Sequence, residues 1–170
     1  MTSDNSVENL KTNIFSKIQE LSTTRLLLSV IAFNLVSAFM FSLIRDDFFY
    51  TIMANFFPFD SFYEELFVVT VIAPLFETTI FQYGLMSLTI IFSKQIFKKE
   101  LIPLAILVSI TSYSWSHFDN YVYMIQMMIS GLSYCVFYLI IEKRNMNAFL
   151  YTFAVHAICN LLVLGLKHIF

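Results

Sequence analysis

Charge is scarce in this sequence. Only 13% of its 170 residues are Asp, Glu, Lys or Arg while 58% are hydrophobic, a balance that excludes a water-soluble domain, whose surface carries about twice that charge. Glycine and proline are scarcer still, three of each. No run alternates apolar and polar residues as the strands of a membrane barrel do, which leaves α-helices to satisfy the backbone polar groups in lipid. The two cysteines, Cys135 and Cys159, lie inside apolar runs without metal-ligand spacing and read as buried free thiols rather than a disulfide or zinc site. Basic runs stop at Lys98-Lys99 and Lys143-Arg144, so nucleic acid is set aside as a partner. There is no internal repeat, low-complexity tract or long linker.

What remains is apolar length. A spanning helix needs roughly 20 mainly apolar residues, and five such stretches stand between the charge clusters, at about residues 26–44, 66–92, 101–118, 121–141 and 148–167. The expected fold is all-α, a polytopic membrane protein of about five transmembrane helices embedded in the lipid bilayer. Ahead of it, Val7, Leu10, Ile14, Ile18 and Leu21 recur at helical spacing against Glu8, Lys11, Lys17 and Glu20, which predicts an amphipathic helix on the membrane surface. Residues 1–25 therefore form a polar and amphipathic N-terminal segment, and 26–170 one transmembrane domain. The polar leader is long and no small-residue cleavage site follows the first span, so that span is expected to stay attached.

Lys11, Lys17, Arg25, Lys94, Lys98, Lys99, Lys143 and Arg144 fall on one side of the five spans, against Arg45 and Lys167 on the other. The positive-inside rule then places the N-terminus in the cytoplasm and the C-terminus outside, with the acidic loop of Asp46, Asp47, Asp60, Glu64 and Glu65 also outside. Ser61 and Glu64 have the spacing of a capping box, so Glu64-Glu65 reads as a solvated helix start. His168, beside Lys167, reads as an interfacial anchor.

Ionisable groups inside a span cost roughly 2.5 to 3.5 kcal/mol each near its centre. Three need explaining here: Glu77 in the second span, His117 near the end of the third, and His156 in the fifth with Asn160 four residues on. Helical spacing puts Tyr113 with His117, and His156 with Asn160, on common faces, so three helices can direct polar groups into one cavity. A carboxylate among apolar neighbours suits a general base, and a facing imidazole can hold the water it deprotonates. A second imidazole and a carboxamide can donate to a developing oxyanion. The bland reading stands beside this one: a histidine in a span commonly makes a helix-to-helix hydrogen bond, and Thr78, Thr79 and Gln82 can merely solvate Glu77.

These three segments resemble the motifs of the CPBP family, also called Abi, which holds the type II CAAX prenyl endopeptidases and bacterial bacteriocin-processing and self-immunity membrane proteins. The resemblance covers roughly residues 66–165. Pro74-Leu75-Phe76-Glu77-Thr78-Thr79-Ile80-Phe81-Gln82 stands for Pro-x-x-Glu-Glu-x-x-x-Arg, Tyr113-Ser114-Trp115-Ser116-His117 for Phe-x-x-x-His, and His156-Ala157-Ile158-Cys159-Asn160 for His-x-x-x-Asn. Thr78 and Gln82 replace the second Glu and the Arg. The exchange removes one charge of each sign, so neither is left buried alone.

The resemblance implies a bacterial inner-membrane endopeptidase that needs no cofactor. In it Glu77 with His117 activates a water, His156 with Asn160 stabilises the oxyanion, and Thr78, Gln82 and Tyr113 support them. The substrate is then a peptide or membrane-tethered protein, prenylated ones included. Three alternatives stay open at this level. Glu77, His117 and His156 are also zinc-ligand types; a non-catalytic immunity or scaffold subunit would keep the same shell; and a proton-coupled transporter would use Glu77 as its carrier group.

Overall fold

The computed structural model of the protein describes residues 20–44, 59–118 and 121–169. Its elements are helices: α1 (Thr23–Ser42), α2 (Phe62–Phe97), α3 (Ile102–Trp115), α4 (Tyr121–Lys143) and α5 (Ala148–Ile169). Among the described residues there is no strand. α1, α2, α4 and α5 are long and apolar enough to cross a membrane, whereas α3 has 14 residues. The expected surface helix over residues 7–21 lies almost wholly outside the described residues, as do Arg45, Asp46 and Asp47.

Local signals explain where the helices begin and stop. Ser22 and Ser61 are N-caps whose hydroxyls accept from the amides of Arg25 (3.3 Å) and Glu64 (3.2 Å). Glu64 returns the favour one residue early, its Oε2 accepting from the Asp60 amide at 2.9 Å, a displaced form of the predicted capping box. α2 stops at Lys98, which takes a left-handed φ of 56°, and Asn145, at 54°, ends α4 in the same way.

α4 is the hub, with 56% of its spanning window buried against 33% or less in the other three long helices. Phe137, Ile141 and Cys135 of α4 pack with Met86 of α2 and Val155 of α5 in the main core. α1 packs on α4 and α5, and α3 on α4 and α2. Apolar side chains on the outer faces, such as Phe33, Phe39, Phe92 and Ile96, are exposed, as a lipid-facing surface requires. At one end Arg144 donates to Leu21 O (2.8 Å) and Thr23 Oγ1 (3.1 Å), tying the end of α4 to the start of α1.

The far end of α2 corrects an expectation. Glu65 is not solvated: it is 7% exposed and accepts from Lys167 Nζ at 2.7 Å, with His168 Nε2 at 3.3 Å. A carboxylate at the start of α2 and a lysine and a histidine at the end of α5 are thus brought together by antiparallel packing.

Candidate active site

The site begins with a defect in α2. Two stretches of this helix, Val68–Ile72 and Thr78–Leu85, are π-helical and flank the α-helical turn Ala73–Glu77. In the first stretch the Ala73 amide bonds Val68 O. The next bond of that series would run from residue 74 to Val69 O, but residue 74 is proline and has no N–H. Asn160 Nδ2 donates to that open Val69 carbonyl instead, at 3.0 Å. Pro74 of the first motif therefore sets the acceptor that holds Asn160 of the third. In the second stretch a Cβ on Gly84 would sit 3.0 Å from Thr79 O, which leaves the wide turn little room for a side chain.

One turn beyond Pro74, Glu77 meets both histidines. His156 Nε2 lies 3.2 Å from Glu77 Oε2, and His117 Nε2 lies 3.5 Å from Glu77 Oε1. His117 Nδ1 is 2.8 Å from Tyr113 O. A carbonyl only accepts, so Nδ1 carries a proton, and in the neutral ring Nε2 presents its lone pair toward the carboxylate. Two acceptors facing each other are satisfied by a shared proton or by a water that donates to both, and the second arrangement is how a water is deprotonated.

Aromatic rings fix these groups. Tyr134 of α4 stacks on His156 at 4.6 Å, Tyr123 meets His117 edge-on at 5.6 Å, and Tyr113 contacts both histidines. Tyr113 OH also lies 3.5 Å from His156 Nε2. Gly131 lets the Tyr113 ring lie on the α4 backbone, since a Cβ there would come within 2.8 Å of Tyr113 Cδ1.

A cavity of about 350 Å³ opens onto the cluster, lined by Glu77, Tyr113, His117, His156 and Asn160 and by apolar residues including Phe76, Ile80 and Val163. All three motif helices reach it. Phe76 and Ile80, about half exposed, are among its lining. A buried acid held between two histidines in a helix bundle is consistent with the catalytic centre of a hydrolase. The arrangement is consistent with a CPBP-like catalytic one.

Comparison of the chain with family models, with curated proteins and with solved structures finds no match.

Thr78 and Gln82 lie away from the cavity, both fully buried. Their polar side-chain atoms have no hydrogen-bond partner among the described residues. A lone charge at either position would be enclosed in low dielectric, which suits the neutral residues found there. No group of three or more His, Cys, Asp or Glu among the described residues is arranged to hold a metal ion. Sequence reasoning missed Tyr123 and Tyr134, because aromatic residues in an apolar span carry no signal that separates a site wall from core.

Proposed function

We propose that this chain is an intramembrane endopeptidase of the CPBP type, cutting a peptide bond in a peptide or membrane-tethered protein. The observation that carries the reading is Glu77 held between His117 and His156 at 3.5 and 3.2 Å on the wall of a cavity inside the bundle. Glu77 takes a proton from a water that His117 orients, and the water oxygen bonds to the substrate carbonyl carbon. The carbonyl oxygen becomes an oxyanion that accepts from His156 and from the Asn160 amide, which has a second N–H beyond the one given to Val69 O. Collapse breaks the C–N bond, and Glu77 returns the proton to the leaving amine. Tyr113 positions both histidines, while Thr78 and Gln82 support the segment that carries Glu77.

In this reading residues 26–170 are the functional unit, and α3 counts as its fifth span, entered from the cytoplasmic side. The lysine and arginine asymmetry supports a cytoplasmic N-terminus and an external C-terminus in the plasma membrane.

The test is cleavage of a broad peptide library by the purified protein, with and without chelator. Wild type is expected to cut in chelator, and Glu77→Gln and His156→Ala to lower kcat by at least about a hundredfold. Cleavage that Glu77→Gln leaves intact would sink the assignment, and cleavage lost in chelator would move the chemistry to a metal.

A further inference from the structure

The cavity has a second polar surface that the hydrolytic chemistry does not use. Asn34 of α1 and Gln126 of α4 both line it and are 4% and 3% exposed. Asn34 Nδ2 donates to Val30 O at 2.9 Å and to Ser133 Oγ at 2.8 Å. Because the carbonyl can only accept, the amide nitrogen is fixed on that side and Oδ1 points away, without a partner among the described residues. Gln126 Nε2 donates to Ser130 Oγ at 3.0 Å, and in that orientation Oε1 also has no partner among the described residues. Two buried amide oxygens without donors are costly to keep, and packing between α1 and α4 would be served by apolar residues.

We propose that Asn34 and Gln126 form a ledge that binds the substrate's backbone, their amide oxygens accepting N–H groups from an extended peptide. This rests on the endopeptidase reading and names what its cavity holds. A peptide bond can be attacked only when its segment is unwound, and an unwound segment in lipid carries N–H groups that must find acceptors. The ledge supplies them. Acyl chains have no donors, so the same atoms favour a peptide backbone over lipid tails.

Register follows from α4. Gln126, Ser130 and Tyr134 share one stripe at successive turns, and Tyr134 stacks on His156. The eight residues from Gln126 to Tyr134 span about 12 Å, or roughly three to four residues of extended chain. Gln126 therefore reads a backbone N–H a few residues from the bond that is cut.

The test is photocapture of short apolar peptides bearing a benzophenone by the purified full chain in lipid nanodiscs, with each backbone N–H of the best-captured peptide methylated in turn. Wild type is expected to lose about three- to tenfold in capture on methylation at one or two positions, the value of one or two hydrogen bonds. Asn34→Leu and Gln126→Leu should each weaken capture of the parent peptide by a similar factor and no longer respond to the matching methyl group. No capture, no positional effect, or an unchanged effect in both variants would overturn the ledge. The methylation scan on wild type decides alone where a variant does not fold. Cleavage is followed in the same samples: position-dependent capture without cleavage removes the endopeptidase and keeps the ledge, whereas cleavage indifferent to methylation does the reverse.

Discussion

At the level of single residues, the group that shapes the site most is one that Pro74 lacks. Its missing N–H leaves Val69 O open, and Asn160 is held there. Pro74→Ala restores a competing donor and should release the carboxamide. The expected outcome is a kcat about ten- to a hundredfold lower with peptide capture unchanged, and little further loss when Asn160→Ala is added, read by steady-state kinetics on both variants. Glu77, His117 and His156 were legible in the sequence because each is ionisable within an apolar run, where water and counter-charges are costly to replace. Asn34 and Gln126 were not, since neutral amides bury more cheaply and stand in no motif. Glu65 was misread as solvent-facing for a different reason: it was judged within its own helix end, and its pairing with Lys167 and His168 exists only once α2 and α5 are antiparallel.

For whole helices, the capping box at Ser61 marked where the second helix starts, while the apolar run alone gave only its membrane part: the span was expected over 66–92, and α2 runs from Phe62 to Phe97. At its start Glu65 is satisfied by Lys167 at 2.7 Å, and at its other end Lys94 and Glu100 pair at 2.9 Å where both are exposed. The π-helical stretches had no sequence signature beyond Pro74. Packing between α3 and α4 depends on Gly131, and the Tyr113 ring above it cannot retreat, being flanked by Phe81 at 5.4 Å and His117 at 4.8 Å. Gly131→Ala should destabilise the protein by about 1 to 3 kcal/mol through overpacking and lower cleavage as Tyr113 shifts against the histidines. Thermal unfolding in detergent beside an activity assay measures both, and a variant as stable as wild type would show that the ring has room.

Across the whole molecule, Glu77 stands within α2, His117 just past the end of α3 and His156 within α5, yet the three meet at one carboxylate. The ion pair of Glu65 with Lys167 closes the far end of the bundle. Glu65→Gln should cost ~3 kcal/mol, in the manner of a buried pair that loses one partner, and Glu65→Gln with Lys167→Met appreciably less. Chemical unfolding of these variants and of Lys167→Met alone checks this; a double loss equal to the sum of the two single ones would mean that the pair contributes nothing beyond its separate residues.

The unequal helices also bear on the bilayer. α2 would extend roughly 50 Å and α3 about 21 Å at the ordinary helical rise, around a hydrocarbon core of about 30 Å. Lipids beside the short helix must thin to meet it, and a dimple on that side brings the aqueous boundary down toward His117, which follows the end of α3. The reactant that an intramembrane hydrolase most lacks is water, and on the proposed function the mismatch between two neighbouring helices would be its route of supply.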